Sequence, residues 1–298
     1  MGICAFNEAD RIGACLWSVV TQRIPRGFDL KEILVVASGC TDDTEQIVEK
    51  WQTRDQRIIL IRQSHREGKS SGLNQILLRA SGDLIVFVNA DACLQKDALA
   101  ALLNPFATEP GVLVACGAPF AENAGGISSV MAAFHWELHN RTLEALSRRG
   151  LPNHCCDEFM AIRRGLVSTL PRDLVNDGAY FGTVASLRGA SVRFCPEARV
   201  FVEIPRSLRG FVKQRRRILR GHDQIEDLLH RPSNTLENLF RTDPLLAVTV
   251  LGDQVVSRPA AFFAFVLFVL PIEITTTWLA HRDRAEGLRY DHAWNPVE

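Results

Sequence analysis

Residues Arg66 to Leu94 read REGKSSGLNQILLRASGDLIVFVNADACL. A Gly-Lys turn opens a segment of helical period, Lys69 to Ala80, and an apolar run, Asp83 to Val88, leads from it to a solitary acid, Asp91. Continuous apolar character marks a strand buried on both faces, as in a parallel sheet covered by helices. A carboxylate just beyond the carboxyl end of such a strand lies where open α/β sheets bind ligands. The stretch therefore reads as part of a ligand-processing α/β protein.

The same alternation extends toward the amino terminus. Ile3–Phe6, Glu32–Ala37 and Arg57–Arg62 have strand character, and Ala9–Gln22 and Asp42–Trp51 have helical period, which gives β-α-β-α-β-α-β through residue 88. Downstream, helices are predicted over Lys96–Leu103, Gly125–Arg149, Gly178–Arg188 and Leu208–Leu229. Strands are predicted over Gly111–Cys116, Phe159–Arg163 and Val192–Cys195. The chain opens almost inside its first strand, which implies that a few residues precede Met1.

Composition fits a globular protein: 298 residues, 47% hydrophobic and 23% charged, with 34 basic against 34 acidic side chains. A zero net charge alone names no partner, and it hides a dense basic run from Arg206 to Arg231; no nucleic-acid partner is expected. Of eight cysteines only Cys155 and Cys156 are neighbours, and no paired metal-ligand spacing occurs, which points to buried free thiols in a reducing compartment.

Four motifs stand in order: Ala5-Phe6-Asn7-Glu8, Val35 to Asp42 (VVASGCTD), Gly68-Lys69 and Asn89-Ala90-Asp91. Together they resemble the family 2 glycosyltransferases of GT-A fold over roughly residues 3 to 230. The resemblance implies an enzyme that moves a sugar from a nucleotide-diphosphate sugar to a hydroxyl acceptor, with inversion and with Mg²⁺ or Mn²⁺. It implies that Phe6, Asn7, Glu8 and Ser38 contact the nucleoside, although Ser38 stands where acids are usual and brings no charge. It places Lys69 at the diphosphate, where the start of a helix already favours an anion. Asp91 becomes the metal carboxylate, and Asn89 lies at the ribose or a metal-bound water.

The resemblance also implies a general base near Val175-Asn176-Asp177-Gly178. Asp177 is the candidate, Asp157 or Glu158 the fallback, and an N-cap the plain alternative. Gln214-Arg215-Arg216-Arg217-Ile218 matches the Gln and Arg of a Gln-x-x-Arg-Trp signature, which directs Gln214, Arg216 and Arg217 to the departing diphosphate. His154, Cys155, Cys156 and Asp157 lack a second ligand pair for zinc.

The predicted organisation is a catalytic domain over 1–205, a basic amphipathic helix region over 206–240 that completes the site, and an apolar tail over 241–298. Ala260–Leu279 is as long as a bilayer span and is flanked by Arg258 and by His281, Arg282 and Arg284. The expectation is a membrane-associated enzyme with its catalytic domain in the cytoplasm and a glycan or lipid acceptor. Two rivals are a non-catalytic sugar-nucleotide sensor, motivated by Ser38 and Asn89, and a sugar nucleotidyltransferase. The second would require a glycine-rich basic loop where Asn7-Glu8-Ala9-Asp10 stands.

Overall fold

The computed structural model describes residues 1–122, 126–151, 154–205 and 207–286. Arg206, which opens the basic run, and residues 287–298 of the predicted tail lie outside them. The first half runs β1 (Gly2–Ala5), α1 (Ile12–Val20), β2 (Ile33–Ser38), α2 (Thr44–Gln52), β3 (Ile58–Gln63), α3 (Lys69–Arg79), β4 (Leu84–Asn89), β5 (Cys93–Leu94), α4 (Ala98–Thr108) and β6 (Val112–Ala121). The second half runs α5 (Gly126–Arg148), β7 (Phe159–Arg163), α6 (Asp177–Leu187), β8 (Ser191–Val202), α7 (Leu208–Leu229), α8 (Leu236–Thr242), α9 (Pro244–Ser257), α10 (Pro259–Ala264) and α11 (Leu270–Ala285). A π-helical turn, Phe265–Val269, joins the last two.

The eight strands form one sheet in the order β3-β2-β1-β4-β7-β6-β8-β5. The first four strands of that order are parallel, as the β-α-β alternation requires. β7 then runs antiparallel between β4 and β6. All six residues of β2 are buried, which accounts for its unbroken apolar sequence. One sheet face packs against Ile12, Leu16 and Val19 of α1, Val48 of α2 and Leu102 of α4. The other packs against Leu73 and Ile76 of α3, Leu143 of α5, Phe181 of α6 and Ile225 of α7. Burying these apolar faces is what orients the strand ends toward a single edge.

The carboxyl-terminal helices depart from the expected tail. Leu239 of α8 and Leu246, Ala247 and Val250 of α9 pack on Phe134, Leu138 and Leu146 of α5, so this segment shares a core with the catalytic fold. The expected span at Ala260–Leu279 is divided among α10, the π-helical turn and the start of α11. No helix among the described residues is long and apolar enough to cross a membrane. The reason lies in α11: Glu273 pairs with Arg215 of α7 at 2.9 Å and with His135 of α5 at 3.2 Å, and fully buried Asp283 pairs with Arg216. Glu273 and Asp283 of α11 are thus paired with cations of α5 and α7.

Candidate active site

The strand register gathers the acids. β7 runs against β4 with Val88 opposite Phe159, and the Asn89 amide donates to the Glu158 carbonyl at 3.1 Å. The amino end of β7 therefore lies beside the carboxyl end of β4, and Asp157 and Glu158 meet Asn89 and Asp91 at one sheet edge. These four line an open cleft together with Phe6, Glu8, Ser38, Arg66, Lys69, Trp136, Glu203, Gln214 and Arg217.

Lys69 stands at the centre of a charge cluster. Its Nζ donates to Asp157 Oδ2 at 2.9 Å and lies 3.0 Å from Asp177 Oδ1. α3 is held for this contact by its side chains: the Ser70 hydroxyl donates to the Leu174 carbonyl at 3.0 Å, and the Asn74 amide bonds both backbone groups of Leu170. Burial opposes the lysine's charge, but the two carboxylates outweigh it and hold its pKa above the ordinary value. Asp157 responds oppositely: burial pushes its pKa up, and Lys69, followed by Arg217, brings it below the usual carboxylate range. Asp177 is 2% exposed, and there burial wins and its pKa rises.

Asp177 thus sits behind Lys69 and is not among the described residues that line the cleft, whereas Asp157 is. Nor is Asp177 the cap of α6. Asn176 takes that place, its Oδ1 accepting the Ala179 amide at 3.0 Å. Position 178 must be glycine for this packing, because a Cβ there would collide with the Cys155 carbonyl.

On the opposite side the Arg66 guanidinium stacks 4.0 Å from the Phe6 ring centroid. Ser38, at the end of β2, accepts the Glu67 amide at 3.0 Å. Gly39, at φ +64°, lets the next turn pass against Arg66 where any Cβ would strike its backbone. Asn7 does not line the cleft. Its Oδ1 accepts the Thr41 amide at 2.8 Å and its Nδ2 donates to the Thr41 hydroxyl at 3.1 Å, so it ties the β1 loop to the β2 loop from a left-handed backbone (φ 54°). Glu8 does face the cleft. Its carboxyl is pushed up to about 8 by burial and then by Asp91, Glu203 and Asp42. Burial likewise raises Asp91.

α7 covers the cleft, and successive residues point different ways. Gln214 and Arg217 line it, while Arg215 turns to Glu273 and Arg216 to Asp283. Arg216, expected at the diphosphate, is not among the described residues that line the cleft. Further along α7, His222 begins a run of edge-to-face rings: His222 to His154 at 5.4 Å, His154 to His139 at 5.3 Å, and His139 to the cleft residue Trp136 at 5.5 Å. Burial, the largest influence on all three imidazoles, lowers their pKa values, His154 to about 4 and His222 to about 3, so the run is neutral at pH 7.

The oxygen donors facing the cleft suit a hard divalent cation. One carboxylate, Asp91, and the neighbouring Asn89 can supply part of an oxygen shell that a diphosphate and water complete. No group of three or more His, Cys, Asp or Glu able to hold a metal alone occurs among the described residues, so such an ion would depend on the donor for its remaining ligands. Sequence reasoning missed Arg66, Trp136 and Glu203 as cleft residues. The signals were slight: a basic residue two places before the Gly-Lys, and an aromatic residue three places before His139.

The sequence profile described as Glycosyl transferase family 2 matches residues 1–170. The chain belongs to this family. Among glycosyl transferase family 2 relatives, a poly-beta-1,6-N-acetyl-D-glucosamine synthase of Staphylococcus aureus (strain MSSA476) is 23% identical over 227 residues, covering 75% of this chain and 54% of that protein. The chain thus spans about half the length of the relatives it matches. In fold it is similar to a mannosyltransferase from Pyrobaculum calidifontis in complex with GDP-Man and Mn²⁺, with a TM-score of 0.70 at 19% identity over 96% of this chain and 86% of that one. It is also similar to S. aureus TarS 1–349 in complex with UDP-GlcNAc, with a TM-score of 0.50 at 19% identity over 97% and 93% of the two chains. At these identities the likeness speaks to the fold alone, and the site rests on its own geometry.

Proposed function

We propose that this chain is an inverting glycosyltransferase that moves a sugar from a nucleotide-diphosphate sugar to a hydroxyl group of a glycan or lipid. The observation that carries the reading is the convergence of Asp91, Asp157 and Arg217 on one cleft at the carboxyl ends of β1, β2 and β4. In this reading Phe6, Arg66 and Ser38 receive the nucleoside, and Asn89 lies toward the ribose. Asp157 takes the proton of the acceptor hydroxyl as its oxygen attacks the anomeric carbon from the face opposite the diphosphate. The bond from that carbon to the phosphate oxygen breaks, and Arg217, with Gln214 beside it, stabilises the charge on the departing nucleoside diphosphate. Held by Asp91 with Asn89 beside it, Mg²⁺ or Mn²⁺ would neutralise phosphate charge.

A panel of nucleotide sugars tested for release of nucleoside diphosphate, with and without Mn²⁺, decides the reading. One donor is expected to turn over, and Asp91→Ala is expected to abolish the Mn²⁺ dependence of its binding in calorimetry. Binding of a donor without turnover toward any acceptor would leave the chain a sensor.

We also propose that the carboxyl-terminal helices rest on a membrane surface, with the catalytic cleft on the cytoplasmic side where nucleotide sugars are made. Leu245, Val248 and Val256 on α9, Phe263, Leu267, Ile274 and Trp278 are exposed, with exposed Arg241, Arg258 and Arg282 nearby. An apolar face edged by cations suits an anionic lipid interface. The protein is expected to sediment with phosphatidylserine-containing vesicles, and Leu267→Glu/Trp278→Glu to remain in the supernatant; equal sedimentation of the two would exclude this surface.

A further inference from the structure

Among the described residues that line the cleft, only Phe6 and Trp136 are aromatic, and they come from different parts of the sheet. Phe6 follows β1 and carries Arg66 over its ring at 4.0 Å, in the region proposed for the nucleoside. Trp136 comes from α5, which packs on β6 and β8. Those two strands lie beyond β7 from β4, β1 and β2, so Trp136 enters the cleft from the side away from the nucleoside. We infer that Trp136 is the stacking platform of an acceptor subsite, completed by Ile218 of α7 and by Glu203 after β8, and that this subsite takes a pyranose sugar. The inference rests on the proposed transfer reaction and narrows its acceptor to a carbohydrate.

Both recognition groups are fixed in place. The indole is half-buried and packs in part against the core cluster, and His139 of the same helix meets it at 86° with the ring centroids 5.5 Å apart. One turn after Trp136, Asn140 Nδ2 donates to the Pro119 carbonyl of β6 at 2.9 Å and ties α5 to the sheet. On the other side, one guanidinium nitrogen of Arg11 lies 3.2 Å from Glu203 Oε1 and the other bonds Glu122 at 2.8 Å, so the segments that follow β6 and β8 are held together. Groups that are already ordered lose little freedom when a ligand arrives.

The pairing of a ring with acids selects the chemical class. A pyranose is amphipathic, with C–H groups on its faces and hydroxyls around its rim. Its C–H groups carry slight positive charge, which suits the negative face of an indole. Its hydroxyls donate to carboxylates, and Glu203 and Glu158 both line this cleft. An acyl chain satisfies Trp136 and Ile218 but covers the same acids without giving them a donor, and burying a charge without a partner is costly.

Trp136→Leu and Trp136→Phe separate a sugar platform from apolar packing, because both fill the position with apolar bulk and only phenylalanine keeps a ring. The probes are tetrasaccharides of glucose, galactose, mannose and N-acetylglucosamine, titrated with Mn²⁺ and either UDP or GDP present. In the wild type at least one tetrasaccharide is expected to bind and to change the tryptophan emission. Trp136→Leu weakens that binding by about tenfold or more in calorimetry and Trp136→Phe by less than about threefold, while affinity for the nucleoside diphosphate moves by less than about twofold in both. In Trp136→Phe the emission change is lost although the sugar still binds.

Equal tetrasaccharide affinity in Trp136→Leu and wild type overturns the inference. So does an emission change that survives in Trp136→Phe, or the failure of every tetrasaccharide to bind at millimolar concentration. If Trp136→Leu does not fold, the emission of Trp136→Phe decides; if that variant also fails to fold, the residue is structural and the inference falls. A tetrasaccharide that binds with no donor turned over sinks the transfer reaction and leaves the sugar platform standing. Transfer to a long-chain alcohol with no tetrasaccharide bound keeps the transfer reaction and removes the platform.

Discussion

Asp157→Asn is expected to lower sugar transfer by about 10²–10⁴-fold, the usual contribution of a positioned general base. The substitution keeps the shape of the side chain and can still meet Lys69 through its amide oxygen, but an amide cannot take the acceptor's proton. Donor binding should survive, because Phe6, Ser38, Arg66 and Asp91 lie on other strand ends of the same cleft. Initial rates with saturating donor, together with calorimetry for the nucleoside diphosphate, check both halves. Asp177→Asn is the informative control, since that residue sits 2% exposed behind Lys69. Full activity in Asp157→Asn with loss in Asp177→Asn would return the base to the buried acid.

The largest effect on stability is expected from Arg215→Met. Arg215 grips Glu273 with two nitrogens, Nε at 3.0 Å and the terminal Nη2 at 2.9 Å, and its partner is largely buried. Removing one member of a buried pair leaves the other uncompensated, at a cost of about 3–5 kcal/mol. Burial pushes Glu273 up, but Arg215 and then His135 bring it down to about 2 from 4.5 in the unfolded chain. A lowered pKa means the folded state binds fewer protons, so this contribution is complete above pH 4.5 and is lost as pH falls toward about 2. In the variant, that acid-side stability is absent at every pH. Melting curves at pH 7 and at pH 4 should therefore show a lower midpoint than wild type at both, and an unchanged midpoint would mean that α11 is held by its other contacts, Asp283 with Arg216 among them.

How much of this was legible in the sequence depends on how far apart the interacting residues lie. The α/β alternation through residue 88 is local, and the parallel core of the sheet obeys it. α7 was read with its observed limits, because amphipathic period over Leu208–Leu229 is a property of that segment itself. The antiparallel insertion of β7 was not legible: its neighbours β4 and β6 are assigned by register, not by any signal within Phe159–Arg163.

The same limit explains the site. Asn7 looked like a nucleoside contact because its partner, Thr41, lies 34 residues away. Ala260–Leu279 looked like a membrane span because the cation that holds Glu273 is 58 residues upstream. The sequence ranks Asp177 ahead of Asp157, but which of them faces the cleft is set by contacts with Lys69, 88 residues before Asp157. Gln214 and Arg217 reach the cleft as their spacing implied, whereas Arg216, one place away, points elsewhere because a helix turns each successive residue by about 100°.

That turn gives α7 a place in how such a chain can be recombined. Within four consecutive residues it contacts both the cleft and the last described helix, so no seam separates the transferase fold from the helices downstream of it. A chimera that joined this amino-terminal fold to another protein's tail at residue 231 would take Glu273 and Asp283 away from Arg215 and Arg216 and set a foreign surface against both cations. The exchangeable module runs from α7 through α11 as one piece, and a graft that carries all five helices brings its own counter-ions with it.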